Sequence, residues 1–535
     1  MVAPVAGAGD TLPRRFARVW SRDPLAPALI DGRDGAIVTA AELEDASGRL
    51  AADLQRCGLG AGDRVLWSPA EPIASAIAAV GVLRAGLVLV PVNPALTAPE
   101  LRHVVNVTEP AASLIDDGAL AHRLAEIDPN LASAVAGGRR VPNGRRTKGF
   151  GGAGGGGTGR TSERSGLGEP GRPEHGGLDV ARPLHPALIL FTSGTTGTPK
   201  GAVHTHASLL ANAESLRTAW RWEPDDRLVH ALPLFHAHGL CVGLLGSLHA
   251  GASAVLLPRF GVDDVLGARE RFGASLFFGV PTMYHRLAES GRADELGALR
   301  LAVSGSAALP AALHRAIAAG GTVILERYGT TETLMSLSNP LEGERRPGTV
   351  GLPLPGVEIR LAAPAPTDDD RPLRHTTDGG ATDAGELLVR SPSVFEGYFG
   401  RHDATAEAFA DGWYRTGDVA SVAPDGYVSI LARTKELVIS GGFNVYPAEV
   451  EGVLVEHAGV AEVAVTGTPS DEWGEVVTAW IVPAAGAGEG LAEAVGEFAA
   501  QRLAPYKRPR IIRVVETLPR NALGKVVKHQ LGQDS

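Results

Sequence analysis

Phe191-Thr-Ser-Gly-Thr-Thr-Gly-Thr-Pro-Lys200-Gly201 closes the apolar run Ala187-Leu-Ile-Leu-Phe191, and its reading decides the architecture. Between positions 192 and 200 stand five hydroxyl residues, two glycines and a lysine. That order predicts a buried strand running into a flexible loop whose amides, hydroxyls and ammonium face an anion. A backbone concavity with one mobile cation is a common way to hold a polyphosphate. The Walker pattern has four residues between its glycines and Ser or Thr after the lysine. Here Gly201 follows Lys200, so a P-loop NTPase is not indicated. A Gly/Thr-rich surface turn is the competing reading, and the density of donors on so short a segment weighs against it.

A chain of 535 residues exceeds what one hydrophobic core serves, which predicts two or three domains. Hydrophobic residues at 44% with 21% charged are the proportions of an ordinary globular enzyme. The formal net charge of −10 supplies no basic field, so nucleic acid is not an expected partner. Cys57 and Cys241 form no paired motif, which argues against a disulfide framework or a cysteine zinc site and suits a reducing cytosol. Residues 1–20 lack a continuous apolar signal core, and no uncharged apolar run reaches membrane-spanning length. The expectation is a cytoplasmic enzyme of small molecules, with no membrane partner and with its oligomeric state open.

Residues 40–130 alternate helical patterns with short apolar strands. Thr39-Ala-Ala-Glu42 has capping-box spacing ahead of Leu43–Cys57, while Arg64–Trp67 and Leu87–Val92 read as buried strands. This alternation predicts an α/β domain with a largely parallel sheet. Residues 137–176 break the pattern, since Gly151–Gly157 is all glycine except Ala153 and the surroundings are mostly Arg, Ser, Pro and Gly. Such a segment reads as a low-complexity, disordered insertion, with RNA contact the weaker alternative. Composition changes again near residue 432. Beyond it a Gly-rich loop, a helical pattern over Pro447–His457 and strand candidates Glu462–Thr466 and Val476–Val482 mark a separate α+β unit. The expected division is 1–432 and 433–535.

Several later strings carry chemistry. Tyr328-Gly-Thr-Thr-Glu332 follows the strand-like Thr322–Glu326, and Glu332 is a hard oxygen donor suited to Mg2+. By itself Glu332 also reads as a solvated carboxylate at a helix start. Ser304-Gly-Ser-Ala-Ala-Leu-Pro310 is small enough for its backbone to approach a flat ring. Trp413–Asp418 and Leu431–Arg433 supply a carboxylate that can accept from two hydroxyls and a guanidinium donor. Lys525 closes Leu518-Pro-Arg-Asn-Ala-Leu-Gly-Lys525, although a lone lysine near a C-terminus ordinarily faces solvent.

In this order the strings resemble the signatures of the adenylate-forming superfamily of acyl-CoA synthetases, adenylation domains and luciferases, over nearly the whole chain. The resemblance implies an α/β fold: a large N-terminal domain of several subdomains, with helix-packed β-sheets and a β-barrel-like part, then a small mobile α+β lid. It implies ATP, Mg2+ and coenzyme A. Thr192, Ser193, Gly194, Thr195, Thr196 and Lys200 would hold the phosphates, with Thr196 and Glu332 toward the metal. Ser306, Ala307, Glu326, Arg327, Tyr328, Gly329 and Thr331 would surround the nucleotide, and Asp418 and Arg433 the ribose. Lys525 would reach the acyl carboxylate and α-phosphate, Lys435 would be the hinge, and Gly441 and Gly442 would line the pantetheine path. The catalytic set it implies is Lys525, Glu332, Thr192 and His236.

The acid is suggested by Pro233–Leu240, by Gly-Val-Pro-Thr-Met-Tyr-His-Arg286, and by the serine-rich and Glu326–Gly329 strings, which resemble malonyl-CoA synthetases. That likeness implies that Arg286 pairs with the distal carboxylate, a natural task for a bidentate donor, with His236, Ser304 and Thr330 around the acyl group. A fatty tail would leave such an arginine buried and unpaired. Val280, Met283, Tyr284 and Leu287 recur at helical spacing and read as packing. His236 and His238 invite a zinc reading that lacks a third ligand motif. Thr330 stands where these synthetases often carry methionine, and a smaller wall suits a 2-substituted malonate such as methylmalonate. The expected activity is ATP-dependent formation of malonyl-CoA through an acyl-adenylate, releasing AMP and pyrophosphate. A short- or medium-chain monocarboxylate CoA ligase, a non-catalytic nucleotide-binding protein and an adenylation domain feeding a carrier protein are the rivals.

Overall fold

A computed structural model describes residues 10–131, 178–362 and 374–532, apart from short breaks at 69, 116, 130, 193–198, 298, 378–379, 441–442, 471–472, 489 and 521–524. The expected insertion at 137–176 lies outside the described residues.

The run ending at Phe191 forms the strand Pro186–Phe191, and the chain returns antiparallel as Gly201–Thr205, with Phe191 opposite Gly201. This pair lies in a six-stranded sheet. Arg64–Ser68, Val88–Pro91 and Ala112–Ile115 run parallel in it, as the apolar runs predict, and Gly397–Tyr398 adds an antiparallel edge to Gly201–Thr205. Between strands lies Pro72–Arg84, buried on nearly every side, as a helix without a polar face must be. It meets the helix Ala40–Arg56 closely: a Cβ on Gly81 would stand 3.1 Å from the Ser47 carbonyl. At its end Arg84 is buried, and its guanidinium donates to Ser47 Oγ at 3.1 Å and pairs with Asp179 at 3.2 Å. The capping box at Thr39 and Glu42 forms.

A second, nine-stranded sheet has a parallel centre of Leu325–Tyr328, Leu301–Ser304, Leu276–Gly279, Arg227–His230, Ser253–Leu256 and Pro27–Asp31. The C-terminal ends of these strands deliver His230, Val280, Ser304 and Tyr328 to one edge, where open α/β sheets bind ligands. Thr322–Glu326 was expected as strand, but the strand starts at Leu325, because Val303 and Ser304 pair with Leu325 and Glu326 while Val323 is 43% exposed. A third sheet of six strands is antiparallel and includes Gly380–Arg390, Trp413–Val422 and Val428–Arg433.

Residues 438–514 form a five-stranded sheet with its own core of Val438, Val450, Val465, Val477, Ile481 and Val495. Its long strands, Val460–Ser470 and Gly474–Pro483, run several residues beyond the expected segments, and the helix Pro447–Leu454 ends earlier than His457. The chain must turn there, through Gly459, to enter the strand at Val460.

Candidate active site

The ends of the anion loop are tied together. Thr192 N donates to the Lys200 carbonyl at 3.0 Å, and Lys200 N to Thr192 Oγ1 at 3.3 Å. His103 Nε2 hydrogen-bonds the Pro199 carbonyl at 2.7 Å, fixing the loop exit. Ser193, Gly194, Thr195 and Thr196 lie outside the described residues. The Lys200 ammonium rests 4.1 Å from the centre of the Tyr398 ring.

Strand alternation splits the Glu326–Tyr328 string between two faces. Tyr328 donates from its hydroxyl to Asp418 Oδ2, on a neighbouring sheet. Asp418 pairs across strands with Arg433, whose Nε is 2.8 Å from Oδ1. Burial raises the Asp418 carboxyl, against the pull of Arg433. Lys525 reaches this group: burial and then the Arg433 charge lower its ammonium, while Glu436 and Asp418 act in the opposite sense. Arg327 points the other way. It is fully buried beside Ser306, 3.5 Å from Ser306 Oγ, with its carbon 2.3 Å from where a Cβ on Gly305 would stand. Glycine is therefore the seat of the guanidinium. Burial lowers Arg327 to about 9, so it is still a cation at neutral pH.

Near Arg327 two buried polar atoms lack partners among the described residues, Arg327 Nε and His238 Nε2, and His236 Nε2, beside His238, lacks one too. Ser304 Oγ is also without one, but Ser304 pairs with Glu326 and shares its face of the sheet, away from Arg327. His238 Nδ1 meets Ser306 Oγ at 3.4 Å, and Ser306 holds a left-handed φ of 70°. Orphaned polar atoms of this density are costly in an apolar interior and mark a place shaped for a polar ligand. His238, set aside in the sequence once zinc was rejected, belongs to this group. The Ala307 side chain is exposed, and Glu326 turns away to accept from Gly348 N at 3.2 Å.

Glu332 is buried, and its Oε1 accepts from the Tyr398 hydroxyl at 2.8 Å. No basic side chain forms an ion pair with it among the described residues, so the carboxylate fits a divalent cation. Its turn is built by Thr330, whose Oγ1 accepts from Glu332 N and Thr333 N, both at 3.2 Å. That hydroxyl serves the turn, a use the sequence reading of Thr330 as pocket wall missed. Gly329 is obligatory, since a Cβ there would stand 1.7 Å from the Leu334 carbonyl oxygen. The Thr331 carbonyl is held by buried His204 at 2.8 Å.

Arg286 is exposed, not buried as the fatty-tail argument assumed. Its guanidinium sits 5.0 Å from the Phe260 ring on the wall of a cavity of about 370 Å³. Tyr284 and Leu287 are core, but Val280 and Met283 also face this cavity, which corrects their reading as packing alone. Lys435 lies in the short helix Thr434–Glu436. Gly441 and Gly442 fall outside the described residues.

These buried groups make stability depend on pH. Burial holds His204, His206, His230 and His236 at about 4. An unfolded chain titrates them near 6.5, so it binds more protons than the folded chain below that pH, and stability falls as the medium is acidified toward 4. Four independent sites give a slope of up to about 5 kcal/mol per pH unit near pH 5. Glu326 acts oppositely: burial raises it to about 8, so its contribution is lost as pH climbs from 4.5 toward 8. Calorimetric melting from pH 8.5 to 4.5 should show a maximum near neutrality and a steep acid limb. A flat acid limb would show that the histidines are not held neutral.

Among the described residues no helix is long and apolar enough to cross a membrane. The AMP-binding enzyme family matches residues 16–399, and the AMP-binding enzyme C-terminal domain family matches residues 449–525. A malonate–CoA ligase of Arabidopsis thaliana is 39% identical over 379 residues, 65% of this chain and 60% of that protein. The chain thus spans about three-fifths of the length of such curated relatives. A feruloyl-CoA synthase of an Amycolatopsis species is 35% identical over 97% of both chains. ATP-bound MatB from Rhodopseudomonas palustris superimposes with a TM-score of 0.82 at 36% identity, covering 98% of each chain. With a family match across most of its length, a fold of the same kind and full-length relatives above 30% identity, the chain belongs to the AMP-binding enzymes.

Proposed function

We propose that this protein is an AMP-forming acid–thiol ligase that activates malonate, or a small 2-substituted malonate, with ATP and transfers it to coenzyme A. The observation that carries the reading is the buried group of Arg327, His238 and His236, in which Arg327 Nε, His238 Nε2 and His236 Nε2 lack partners among the described residues. Among the described residues no carboxylate pairs with Arg327, and a guanidinium flanked by neutral imidazoles suits the far carboxylate of a diacid and is a poor seat for a hydrocarbon tail. This moves Arg327 from the nucleotide to the acid. Arg286 at the cavity wall serves as an outer cation. Relatives named for malonate agree with this reading.

In this mechanism the near carboxylate attacks the α-phosphorus of ATP, the bond to the β-phosphate oxygen breaks, and pyrophosphate leaves. Thr192 and Lys200 orient the phosphates, while Tyr328, Asp418 and Arg433 hold the ribose. Lys525, on which the Asp418 and Arg433 charges act, would reach the acyl carboxylate and the α-phosphate, where negative charge builds during attack. Glu332, with Thr196, would hold Mg2+, which supplies charge neutralisation on the phosphates. His236, neutral at working pH, is a hydrogen-bond partner for the acyl group and not a cation. In the second step the thiol sulfur attacks the acyl carbon and AMP departs. Movement at Lys435 would withdraw Lys525 and bring Gly441 and Gly442 to the pantetheine arm. Division of the chain into residues 1–432 and 433–535 belongs to the same proposal, as does a cytoplasmic setting, which suits the free thiols Cys57 and Cys241.

One observation favours a second reading. The cavity beside Arg286 is about 370 Å³, lined by Phe235, Leu257, Phe260, Val280 and Met283, and is larger than malonate requires. An aromatic monocarboxylate would fill it, in line with the likeness to feruloyl-CoA synthase. Pyrophosphate release should be measured with ATP, Mg2+ and CoA across malonate, methylmalonate, propionate and ferulate. Malonate or methylmalonate should lead in kcat/KM by tenfold or more, the value of about 1.4 kcal/mol in a specific contact. Ferulate in the lead would establish the second reading, and no release with any acid would leave a nucleotide binder.

A further inference from the structure

Gly397–Tyr398 is a two-residue strand, yet it is fixed on every side. Tyr398 lies opposite Ala202 and Gly397 opposite Val203, so the strand leaving the anion loop sets its register two residues from Lys200. Phe399 N donates to the Gly201 carbonyl at 2.8 Å, and Tyr398 N to Thr405 Oγ1 at 2.9 Å. One step earlier, Phe395 N donates to the Glu332 carbonyl at 2.7 Å. Gly397 has a φ of 152°, with Thr405 Cγ2 2.7 Å from where a Cβ would stand, so no larger residue could carry the chain there.

From this anchored backbone the Tyr398 side chain touches two groups of the site at once. Its ring lies under the Lys200 ammonium at 4.1 Å, and its hydroxyl donates to Glu332 Oε1 at 2.8 Å.

We propose that Tyr398 is a positioning residue that couples the cation of the anion loop to the Glu332 carboxylate. The hydroxyl fixes the plane of the carboxylate, as outer hydrogen bonds do for metal-binding side chains generally. The π face keeps the ammonium poised beside the nucleotide site instead of loose in water. Because Tyr398 is registered on the strand that begins at Gly201, displacement of either partner is felt by the other. This rests on the reading above of Glu332 as metal ligand and Lys200 as phosphate cation. The competing role is packing, since Phe395 lies edge-on at 4.8 Å in the same aromatic cluster.

Tyr398→Phe keeps ring and packing and removes only the donor, whereas Tyr398→Leu removes both. With the full chain, Mn2+ binding can be followed by electron paramagnetic resonance in the presence of a non-hydrolysable ATP analogue, and analogue binding without metal by calorimetry. Tyr398→Phe should weaken Mn2+ retention about tenfold and leave metal-free nucleotide affinity unchanged. Tyr398→Leu should show the same metal loss and a further two- to fivefold loss of metal-free nucleotide affinity, roughly the worth of one cation–π contact. If Tyr398→Phe binds Mn2+ like the parent while Glu332→Gln binds it weakly, the coupling is overturned and the reading of Glu332 stands. If Glu332→Gln also binds Mn2+ like the parent, both fall. A lowered melting temperature in both Tyr398 variants, with metal and nucleotide affinities unchanged, would make Tyr398 a packing residue and overturn the proposal.

Discussion

Lys525→Ala slows formation of the acyl-adenylate by roughly 10²–10³-fold, the usual cost of removing one preorganised charge donor from a transition state. It leaves thioester formation from supplied malonyl-adenylate and CoA within about threefold of the parent, because an acyl-phosphate already made needs no cation at the α-phosphorus. The geometry gives the reason for the split. Lys525 arrives from the C-terminal segment, while Asp418 and Arg433, whose charges act on it, belong to the large antiparallel sheet. Burial and then the Arg433 charge lower its ammonium, while Glu436 and Asp418 act in the opposite sense. Single-turnover pyrophosphate release measures the first half-reaction and AMP release from synthetic adenylate the second. Equal losses in both would mean that Lys525 holds the lid together and performs no step of its own.

The sequence made some of this legible because the relevant signals are local. An apolar hexapeptide followed by Gly, Thr and Lys is a strand and loop wherever it occurs, and the strand Pro186–Phe191 follows from it. Thr39 and Glu42 close their capping box within one helical turn. What was hidden depends on register between distant segments. Asp418 and Arg433, fifteen positions apart, were placed together at the ribose only by resemblance; their ion pair comes from the pairing of two strands. No sequence motif singles out Tyr398; only its pairing with Ala202 puts it between Lys200 and Glu332. Arg327 differs in another way. The motif was carried over as one nucleotide-binding string, whereas a strand sends adjacent side chains to opposite faces, Tyr328 to Asp418 and Arg327 to Ser306, which is the basis for proposing Arg327 for the acid. Burial was also illegible: Arg286 and Arg327 are alike as letters, yet one is exposed and the other enclosed.

That difference in burial sets the second large effect. Arg327→Met should lower kcat/KM for malonate by about 10²–10³-fold, because the far carboxylate would enter an enclosed site with no cation to meet it, a penalty of about 3–5 kcal/mol. Propionate, which has no far carboxylate, should lose less than about threefold, so the ratio of the two acids collapses. Arg286→Ala, by contrast, removes a solvent-screened cation and should cost malonate at most about tenfold. Stability should move the other way from activity. In the free protein Arg327 is a desolvated cation whose Nε has no partner among the described residues, and burial already lowers it to about 9. Replacing it by an apolar side chain of similar length relieves that cost, so the melting temperature of Arg327→Met should hold or rise. A parallel fall with malonate and propionate would return Arg327 to the nucleotide. A fall in melting temperature would mean that the guanidinium is part of the scaffold, and the diacid would then need another partner at its far end.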